Sequence, residues 1–431
     1  MATNLHRQME VVVNRRGVRR REFLRSICAG AAAAGTLSWP DLMTVQAEKL
    51  RKKGMACILL WMQGGPSQFE TFSPKPSHAN GGETKAISTA LNGVQIAENL
   101  PAVSKIMNDL CVIRSMNSTE GSHPRASYLL HTGYIPTASI KHPSLGANVT
   151  HQLGDPKADL PGFVRIGRSR NASGGGFLGV EYDPFRIQNA AQLPQNTTIA
   201  HGQQRYRRRL RLLGRLEKHY AQQGGKQVVA DHKKLYDKTS RMVLSPKMST
   251  FDLAKEPSRV RQAYGDSAFG KGCLLARRLV QSGVTFVEVA DGNWDTHFDN
   301  FGRVKTRCES IDQPFAQLIT DLKQQGMLDR TMVIWMGEFG RTPRVNPRGG
   351  RDHYPRAFSV AMAGGGVKGG QVIGQTNAGG TTVVDRPVGV SDLFRTICHG
   401  MQVDADHENM SSVGRPLKIV DGGKLIKEVY G

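Results

Sequence analysis

Several features that mark common protein classes are scarce in this 431-residue sequence. No two cysteines have C-x-x-C spacing, and four of the five cysteines after residue 47 lie in or beside apolar runs, which indicates buried thiols and not zinc ligands. Aromatic residues make up only 6% of the chain, so few rings are available to stack on bases and nucleic-acid binding is disfavoured. No internal repeat is present, and the glycine-rich stretches are too short to form a low-complexity linker.

The N-terminal segment lacks an apolar run long enough for a membrane anchor. The run from Ile27 to Trp39 is rich in glycine and alanine and is much shorter than the roughly 20 apolar residues that such an anchor requires. A basic segment precedes this run, and the A-x-A-like sequence Val45-Gln46-Ala47 follows it. The basic segment fits the twin-arginine consensus, two arginines followed by an apolar pair, at Arg20, Arg21, Phe23 and Leu24. We predict a signal peptide at residues 1–47, and delivery of the mature protein by the twin-arginine export machinery to the periplasm or the medium.

Basic residues outnumber acidic ones, and the formal net charge is +22. The predicted signal peptide holds seven Lys/Arg and three Asp/Glu, so the rest of the chain keeps a charge of +18. Such a charge favours anionic partners, such as sulfated or phosphorylated polymers, although a general contribution to solubility explains it equally well. Substrates of the twin-arginine route cross the membrane folded, which favours a protein that already holds a metal ion or a cofactor.

Short apolar runs alternate with helical patterns along the chain. The runs that predict buried strands are Met55–Trp61, Val284–Ala290, Thr331–Met336 and Ala357–Ala363. The helical patterns are Pro101–Leu110, Cys273–Gln281, Pro314–Gln325, and Asp392–His399 with Ser391 as its cap. This alternation predicts an α/β fold with a mostly parallel sheet between helices, in a single domain over residues 48–431. A basic helical region at about residues 203–261 is predicted to be an insertion or a lid.

Polar residues follow the predicted strands, at the edge where parallel sheets bind their ligands. The carboxylates and imidazoles in these loops form the donor set of a metal site: Glu70, Asp295, His297, Glu338, Asp352 and His353. Structural roles stay open for three of them, because Asp295 could cap a helix, Glu338 could pair with Arg341, and His353 could be a hydrogen-bonded structural histidine. Their shared position at strand ends favours a common cleft.

Seven segments together resemble one bacterial family. They are WMQGGPSQFETF (61–72), VIRSM (112–116), HPSLG (142–146), GCLLARRLVQSGVTFVEV (272–289), NWDTH (293–297), GEFGRTP (337–343) and GRDH (350–353). On these segments the sequence is similar to the family catalogued as domain of unknown function 1501, whose members look like distant relatives of alkaline phosphatases and sulfatases. The resemblance implies an alkaline-phosphatase-like core and metal-dependent hydrolysis of sulfate or phosphate esters.

A further segment, Ser122–Tyr134, resembles the sulfatase signature. This resemblance implies that Ser122 is the nucleophile at a helix N-terminus and that Arg125 steadies the anion. Arg125 lies one position closer to Ser122 than in that signature, and the Thr-Gly pair lies one position further away, so a local insertion is required. Formylglycine chemistry is excluded because the sequence contains no Cys-x-Pro-x-Arg.

The chain departs from the superfamily at expected metal ligands. Gln63-Gly64-Gly65 replaces the paired aspartates after the first strand, and Glu338-Phe339 replaces a late Asp-His pair. A site with one divalent metal ion, either zinc, calcium or magnesium, or with none therefore fits better than a two-metal site. Two functions stay open: a metal-dependent hydrolase of an anionic ester or polysaccharide, or a catalytically degenerate relative that binds anionic glycans or cell-envelope polyanions through its basic surface.

Overall fold

The computed structural model of the protein describes residues 54–197, 199 and 202–431. These residues belong to one compact unit. The predicted signal peptide, with Arg20, Arg21, Phe23 and Leu24, lies outside the described residues. Among the helices of the described part, none combines the length and the apolar character that crossing a membrane requires.

A central sheet organises the fold. The strands in chain order are β1 (Ala56–Met62), β2 (Ala86–Ser88), β3 (Gln95–Ala97), β4 (Cys111–Met116), β5 (Phe163–Ile166), β6 (Phe185–Ile187), β7 (Phe286–Asp291), β8 (Thr331–Met336), β9 (Gly340–Arg341), β10 (His353–Tyr354), β11 (Phe358–Ala363), β12 (Gln371–Ile373), β13 (Gln375–Thr376), β14 (Val383–Asp385), β15 (Glu408–Met410) and β16 (Pro416–Lys418). Eight of them form the sheet, in the order β12-β4-β11-β8-β1-β7-β5-β6. Strand β11 runs antiparallel to both of its neighbours, and the other pairings in the sheet are parallel, which confirms the predicted mostly parallel sheet.

Strand β1 lies between β8 and β7, and all seven of its residues are buried. Its apolar sequence is continuous because helices cover both faces of the sheet, so neither face needs polar side chains. In register, Met62 pairs with Asp291 of β7, and Trp61 pairs with Met336 of β8. The three strands therefore end at the same edge of the sheet, and the loops that follow them start side by side.

The helices in chain order are α1 (Pro101–Lys105), α2 (His123–Thr132), α3 (Leu145–Leu153), α4 (Gln203–Tyr220), α5 (Lys226–Leu244), α6 (Ser258–Ala263), α7 (Ala268–Gln281), α8 (Asn300–Gln324) and α9 (Val390–Gly400). Two glycines show that helices pack on both faces. Gly146 of α3 lies against Phe286, and Gly272 of α7 lies against Val289 of the same strand. Because side chains three positions apart on a strand point to opposite faces, α3 and α7 cover opposite sides of β7.

Three predicted helix starts were wrong. Helix α7 begins at Ala268, five residues before the predicted start at Cys273. Helix α8 begins at Asn300, so Pro314 lies inside it and not at its first turn. Pro314 lacks the N–H that would bond the carbonyl of Ser310, and this carbonyl instead accepts a hydrogen bond from Ser267 Oγ at 2.9 Å. Helix α9 begins at Val390, so Ser391 is within the helix and does not cap it.

The region predicted to be a basic helical insertion contains α4 and α5, joined by a π-helical turn at Ala221–Gly225. No residue of α4 is buried. Tyr206 and Ser240 join the two helices through their hydroxyl groups at 3.1 Å. Lys238 Nζ donates to the carbonyl oxygen of Glu181 at 2.7 Å, which attaches α5 to the rest of the chain. The helices therefore form a hairpin, and the side chains of α4 remain largely in solvent.

The five cysteines of the described residues are free and buried, as predicted: Cys57, Cys111, Cys273, Cys308 and Cys398. Burial raises the pKa of the Cys111 and Cys398 thiols to about 12. These groups stay protonated at neutral pH, so they pack as small apolar side chains and do not act as ligands or nucleophiles.

The contact between α7 and the sheet predicts a stability effect. A Cβ atom at Gly272 would lie 2.7 Å from Val289 Cγ1, closer than atoms can pack without a shift. We expect Gly272→Ala to destabilise the fold by about 1–3 kcal/mol, measured by urea unfolding. Gly214→Ala in α4 is the matched control, because a Cβ there meets nothing within 4 Å. That change should be neutral or stabilise slightly, and equal losses in both variants would contradict the packing argument.

Candidate metal centre

The loops after β1 and β7 approach each other closely at the sheet edge. The N–H of Gln63 donates to the Asp291 carbonyl at 2.8 Å, and the N–H of Trp294 donates to the Gln63 carbonyl at 3.2 Å. Gly64 has φ of 117°, and a Cβ atom at this position would lie 2.5 Å from the backbone nitrogen of Asp295. Only glycine allows this conformation and this approach. The sequence Gln63-Gly64-Gly65 therefore brings the first loop against the backbone that carries Asp295.

A buried guanidinium joins these loops to the segment after β8. Arg341 is fully buried. Its Nε donates to the Gly65 carbonyl at 2.8 Å and its Nη1 donates to the Arg351 carbonyl at 3.1 Å. Its Nη2 donates to Asp295 Oδ1 at 2.7 Å and also to the Gly64 carbonyl. A buried cation requires such partners, and the pairing with Arg341 fixes the Asp295 carboxylate in place.

Three imidazoles surround the Asp295 carboxylate. The Nε2 atoms of His297 and His353 lie 3.0 and 3.2 Å from Asp295 Oδ1, and His123 Nε2 lies 3.4 Å from Oδ2. Candidate ligand atoms of His123, Asp295 and His353 all lie within 4.8 Å of one another. The exposed fraction of the side chain is 24% for His353 and 42% for Asp295, so a small molecule from solvent can reach the group.

Each imidazole is held at its other ring nitrogen by a hydrogen-bond acceptor. His123 Nδ1 lies 2.8 Å from Glu338 Oε1, and His297 Nδ1 lies 2.7 Å from Asp352 Oδ1. His353 Nδ1 lies 2.8 Å from the Gly121 carbonyl oxygen. A carbonyl or carboxylate oxygen can only accept, so these partners assign the proton to Nδ1 and leave the Nε2 lone pairs directed at the centre. This is the orientation that second-shell partners impose on metal-binding histidines.

The geometry of the four groups fits a bound cation. His297 Nε2 and His353 Nε2 are 3.0 Å apart, and two lone pairs at that distance repel each other unless a proton or a cation lies between them. Ligands at zinc distances of about 2.0–2.1 Å in a tetrahedron are about 3.4 Å apart. His297 Nε2 lies 3.0 Å from both His353 Nε2 and Asp295 Oδ1, His353 Nε2 lies 3.2 Å from Oδ1, and His123 Nε2 lies 3.4 Å from Oδ2. Among the described residues, the group whose ligand atoms all lie within 4.8 Å of one another consists of His123, Asp295 and His353. Imidazole-rich sets of this kind suit zinc better than calcium or magnesium, which prefer oxygen ligands.

Glu338 and Asp352, both predicted as metal ligands, contact the imidazoles. Glu338 is fully buried, and its Oε1 accepts from the N–H of Gly64 at 2.9 Å as well as facing His123. Its Oε2 has no hydrogen-bond partner within the described part of the chain. Asp352 is half exposed and accepts from His297. Glu338 does not pair with Arg341, because that guanidinium is bonded to Asp295. In this arrangement each acid orients one imidazole of the group.

Glu70 lies outside the group. Its carboxylate is fully buried and paired with Arg351, whose Nη2 donates to Glu70 Oε1 at 2.8 Å and whose Nε lies at 3.2 Å. Arg351 is also fully buried, so Glu70 is the counter-charge of a buried cation. The sequence predicted a metal-binding role from the position of Glu70 after β1, whereas in the structure its Oε1 is bonded to Arg351.

Ser122 and Arg125, the residues implied by the sulfatase-like segment, lie at the start of α2. Ser122 is exposed and occupies the N-cap position, but its hydroxyl makes no capping hydrogen bond. It directly precedes His123 and follows Gly121, whose carbonyl holds His353. Arg125 points elsewhere: its Nε and Nη2 both donate to the Glu120 carboxylate at 2.7 Å. Ser122 is thus next to the group in sequence, and Arg125 is engaged by Glu120.

His123 is the member of the group that the sequence analysis missed. It was present in the segment Ser122–Tyr134, but the sulfatase signature directed attention to the serine and the arginine. A usable signal existed, because β4 runs in the same direction as β8 and ends at Met116, so the loop after it also leaves the functional edge of the sheet. A loop separates the end of β4 at Met116 from His123, so the sequence does not show directly that His123 belongs to this edge of the sheet.

The charges of the group are strongly coupled. Burial acts to lower the pKa of His123, but hydrogen bonds to Asp295 and Glu338 outweigh it and raise the value to about 9. Burial acts to raise the pKa of Asp295, but hydrogen bonds from His123, His353 and Arg341 outweigh it and hold this pKa far below its usual range. A proton on His123 therefore occupies the lone pair that a metal ion would need.

This competition predicts a pH dependence for zinc binding. His123 must lose its proton when the metal binds, so the apparent affinity should rise about tenfold per pH unit between about pH 6.5 and 8.5. Competition with a chromophoric zinc chelator, corrected for the protonation of the chelator, measures this slope. His123→Ala should bind zinc more weakly and with a shallower slope, whereas His407→Ala, remote from the group, should match the unaltered protein. A flat profile for the unaltered protein would contradict the assignment.

The chain is similar to several solved structures at low sequence identity. A comparison with curated proteins gave no match. Similar solved structures include the sulfatase PsFucS1 from Pseudoalteromonas sp., at 14% identity over 83% of this chain and 72% of that chain, with a TM-score of 0.40. The lipoteichoic acid synthase LtaP from Listeria monocytogenes has 10% identity over 83% and 78% of the two chains, also with a TM-score of 0.40. The phosphonate monoester hydrolase of Agrobacterium radiobacter has 11% identity over 87% and 77%, with a TM-score of 0.35. At these values the similarities assign no activity to the chain.

The family comparison covers more of the sequence. The model described as "Protein of unknown function (DUF1501)" matches residues 55–430. This range includes every strand and helix of the structure, together with the candidate metal-ligand group of His123, Asp295, His297 and His353. The chain therefore belongs to the DUF1501 family.

Proposed function

We propose that the protein is an exported hydrolase of sulfate or phosphate esters that binds one zinc ion through His123, Asp295, His297 and His353. The observation that carries the proposal is the convergence of three Nε2 atoms on one carboxylate, with each imidazole oriented by an acceptor at Nδ1. A structural ion pair would not need three imidazoles turned inward in the same way. Export is supported by the N-terminal sequence alone.

Residues of the chain prepare the site for an anionic ester. Arg341 neutralises part of the charge on Asp295, and the buried Glu338 fixes His123. A divalent ion bound at this group would polarise the ester oxygens and lower the pKa of an adjacent hydroxyl or water. The positive charge of the chain, +18 without residues 1–47, would draw anionic substrates towards the protein.

Two nucleophiles fit the arrangement, a water molecule and the hydroxyl of Ser122. Ser122 is exposed and immediately precedes His123. Its hydroxyl makes no capping hydrogen bond that would compete with a role as nucleophile. Arg125 would have to leave the Glu120 carboxylate before it could contact a substrate anion. The side chain of Arg125 is 49% exposed but that of Glu120 is only 12% exposed, so a substrate anion would have to offset the loss of this bidentate ion pair.

The proposal predicts that metal content and hydrolysis depend on the same residues. The mature protein, exported in its native host, should contain one zinc per chain by elemental analysis and should hydrolyse aryl sulfates or aryl phosphates. Asp295→Ala and His353→Ala should lose the zinc and at least about 99% of the hydrolysis, because each removes a ligand. A stable, metal-free unaltered protein would overturn the proposal.

Controls separate the ligands from their surroundings. His407→Ala should keep both metal and activity. Glu70→Gln should keep the zinc even though it weakens a buried ion pair, because Glu70 is bonded to Arg351 and not to the group. Ser122→Ala should keep the zinc whether the nucleophile is Ser122 or a water molecule. Loss of hydrolysis in this variant would identify Ser122 as the nucleophile, and retention would leave a water molecule in that role.

A second function, binding of anionic glycans without catalysis, is favoured by the hairpin of α4 and α5. Helix α4 has the sequence QQRYRRRLRLLGRLEKHY with no buried residue, so its cations face solvent. Such a surface attracts sulfated or phosphorylated polymers. The hairpin is independent of the metal-ligand group, so the two functions can be tested separately.

Charge reversal on the hairpin tests this second function. Arg207→Glu, Arg208→Glu and Arg209→Glu together should weaken binding to immobilised heparin by at least about tenfold at low salt, because three attractive charges become repulsive. The matched control reverses Arg415, Lys424 and Lys427, which are also exposed. Equal loss in both triple variants would show attraction by net charge alone and would leave the hairpin without a specific role.

A further inference from the structure

A second polar cavity lies away from the metal-ligand group. It has a volume of about 380 Å³ and is lined by residues of the loop after β1, of β4 and of the β13–β14 hairpin. The polar side chains that line it include Ser73, Lys75, Arg114, Thr376 and Asp385. None of the residues that surround Asp295 contributes to its wall. The cavity is therefore a separate candidate site.

Two cations line this cavity without a carboxylate partner. Lys75 and Arg114 make no salt bridge within 4.0 Å to any carboxylate of the described residues, although Asp385 lines the same cavity. Arg114 Nη2 donates to the Gln95 carbonyl at 2.5 Å, but its Nε is buried and has no hydrogen-bond partner in the described part of the chain. Most buried guanidinium nitrogens are paired, so Arg114 is an incompletely satisfied cation at the wall of the cavity.

The two cations also act on each other. Burial lowers the pKa of Arg114 to about 10. Burial, followed by the charge of Arg114, lowers the pKa of Lys75. Two like charges withdrawn together from water are unfavourable, and a bound anion is the group that would relieve both effects.

A neutral donor completes the set. Thr376 is 2% exposed, and its Oγ1 has no hydrogen-bond partner among the described residues. Lys75, Arg114 and the hydroxyl side chains that line the cavity can donate hydrogen bonds, and Asp385 is the acidic residue among the lining residues. A volume of 380 Å³ exceeds that of one small ion, since a water molecule in the liquid takes about 30 Å³. The cavity can therefore hold an oxyanion that is attached to a larger molecule.

We propose that this cavity binds a compact oxyanion, a sulfate or phosphate group, between Lys75 and Arg114, with the Thr376 hydroxyl as an additional donor. The group is either a free ion or a substituent of a polymer. The proposal does not depend on the metal site, because none of the three residues contacts it. It assigns part of the positive charge of the chain to a defined site.

The test measures the reactivity of Lys75 in the full mature protein. Limited acetylation with acetic anhydride, quantified by peptide mass spectrometry, reports on this one amine, and the exposed Lys157 and Lys424 serve as internal references. Inorganic sulfate or inorganic phosphate should slow the acetylation of Lys75 at least threefold and leave both references unchanged. The absence of protection at any concentration that leaves the protein folded would overturn the proposal.

Variants make the result specific. Arg114→Met should abolish the protection of Lys75, whereas Arg415→Met should preserve it. If Arg114→Met does not fold, Thr376→Val keeps the shape of the side chain and should weaken protection by removing the donor. Unchanged protection in folded Arg114→Met and Thr376→Val would also overturn the proposal, because the effect would then come from an adventitious ion only.

The source of the anion is decided by a second ligand. A sulfated disaccharide should protect Lys75 at a concentration at least tenfold lower than inorganic sulfate if the group belongs to a polymer. Protection by the inorganic ions at equal or lower concentration would identify a free anion as the ligand. Failure of the metal analysis described above would not alter either result, so this site and the proposed hydrolase stand or fall separately.

Discussion

The arrangement at the sheet edge depends on the buried guanidinium of Arg341. This cation is shielded from water, so its donors must be satisfied by the protein. Carbonyl groups of Gly64, Gly65 and Arg351 accept from three sides, and Asp295 supplies the counter-charge. One side chain thereby joins the loops that follow β1, β7 and β8. Asp295 is held at a fixed point, and the imidazoles gather around it.

A second buried arginine explains why similar acids have different roles. Arg351 takes the Glu70 carboxylate, and Arg341 takes that of Asp295. The difference lies in exposure, because the side chain of Glu70 is fully buried whereas that of Asp295 is 42% exposed. Each acid neutralises an interior cation, but only Asp295 keeps an open side from which other groups can approach. A carboxylate that is wholly enclosed with its partner contributes to the fold and has no access to a ligand.

The sequence predicted the sheet well because its central strands are buried on both faces and read as continuous apolar runs that end in glycine or polar turns. It misplaced the start of α8, since proline favours the first turn of helices and nothing local indicates that Ser267 satisfies the carbonyl left free by Pro314. In the candidate site, position at a strand end pointed to Asp295 and His353. The sequence could not show that Glu70 differs from Asp295, because the difference depends on pairing with Arg351 and Arg341, which lie far along the chain. His123 was missed because its partners come from other parts of the chain.

The three imidazoles differ in how firmly their Nδ1 partners hold them, and this difference affects how small molecules can reach Asp295. His123 is held by the fully buried Glu338, and His353 is held by a main-chain carbonyl. His297 is held by Asp352, a side chain with 52% exposure. Surface hydrogen bonds compete with water and hold a side chain less firmly than buried ones do. His123, Asp295 and His353 already form a complete group of three, so His297 is the member that can move at the lowest cost. Small molecules from solvent therefore reach the Asp295 carboxylate with the least rearrangement on the His297 side.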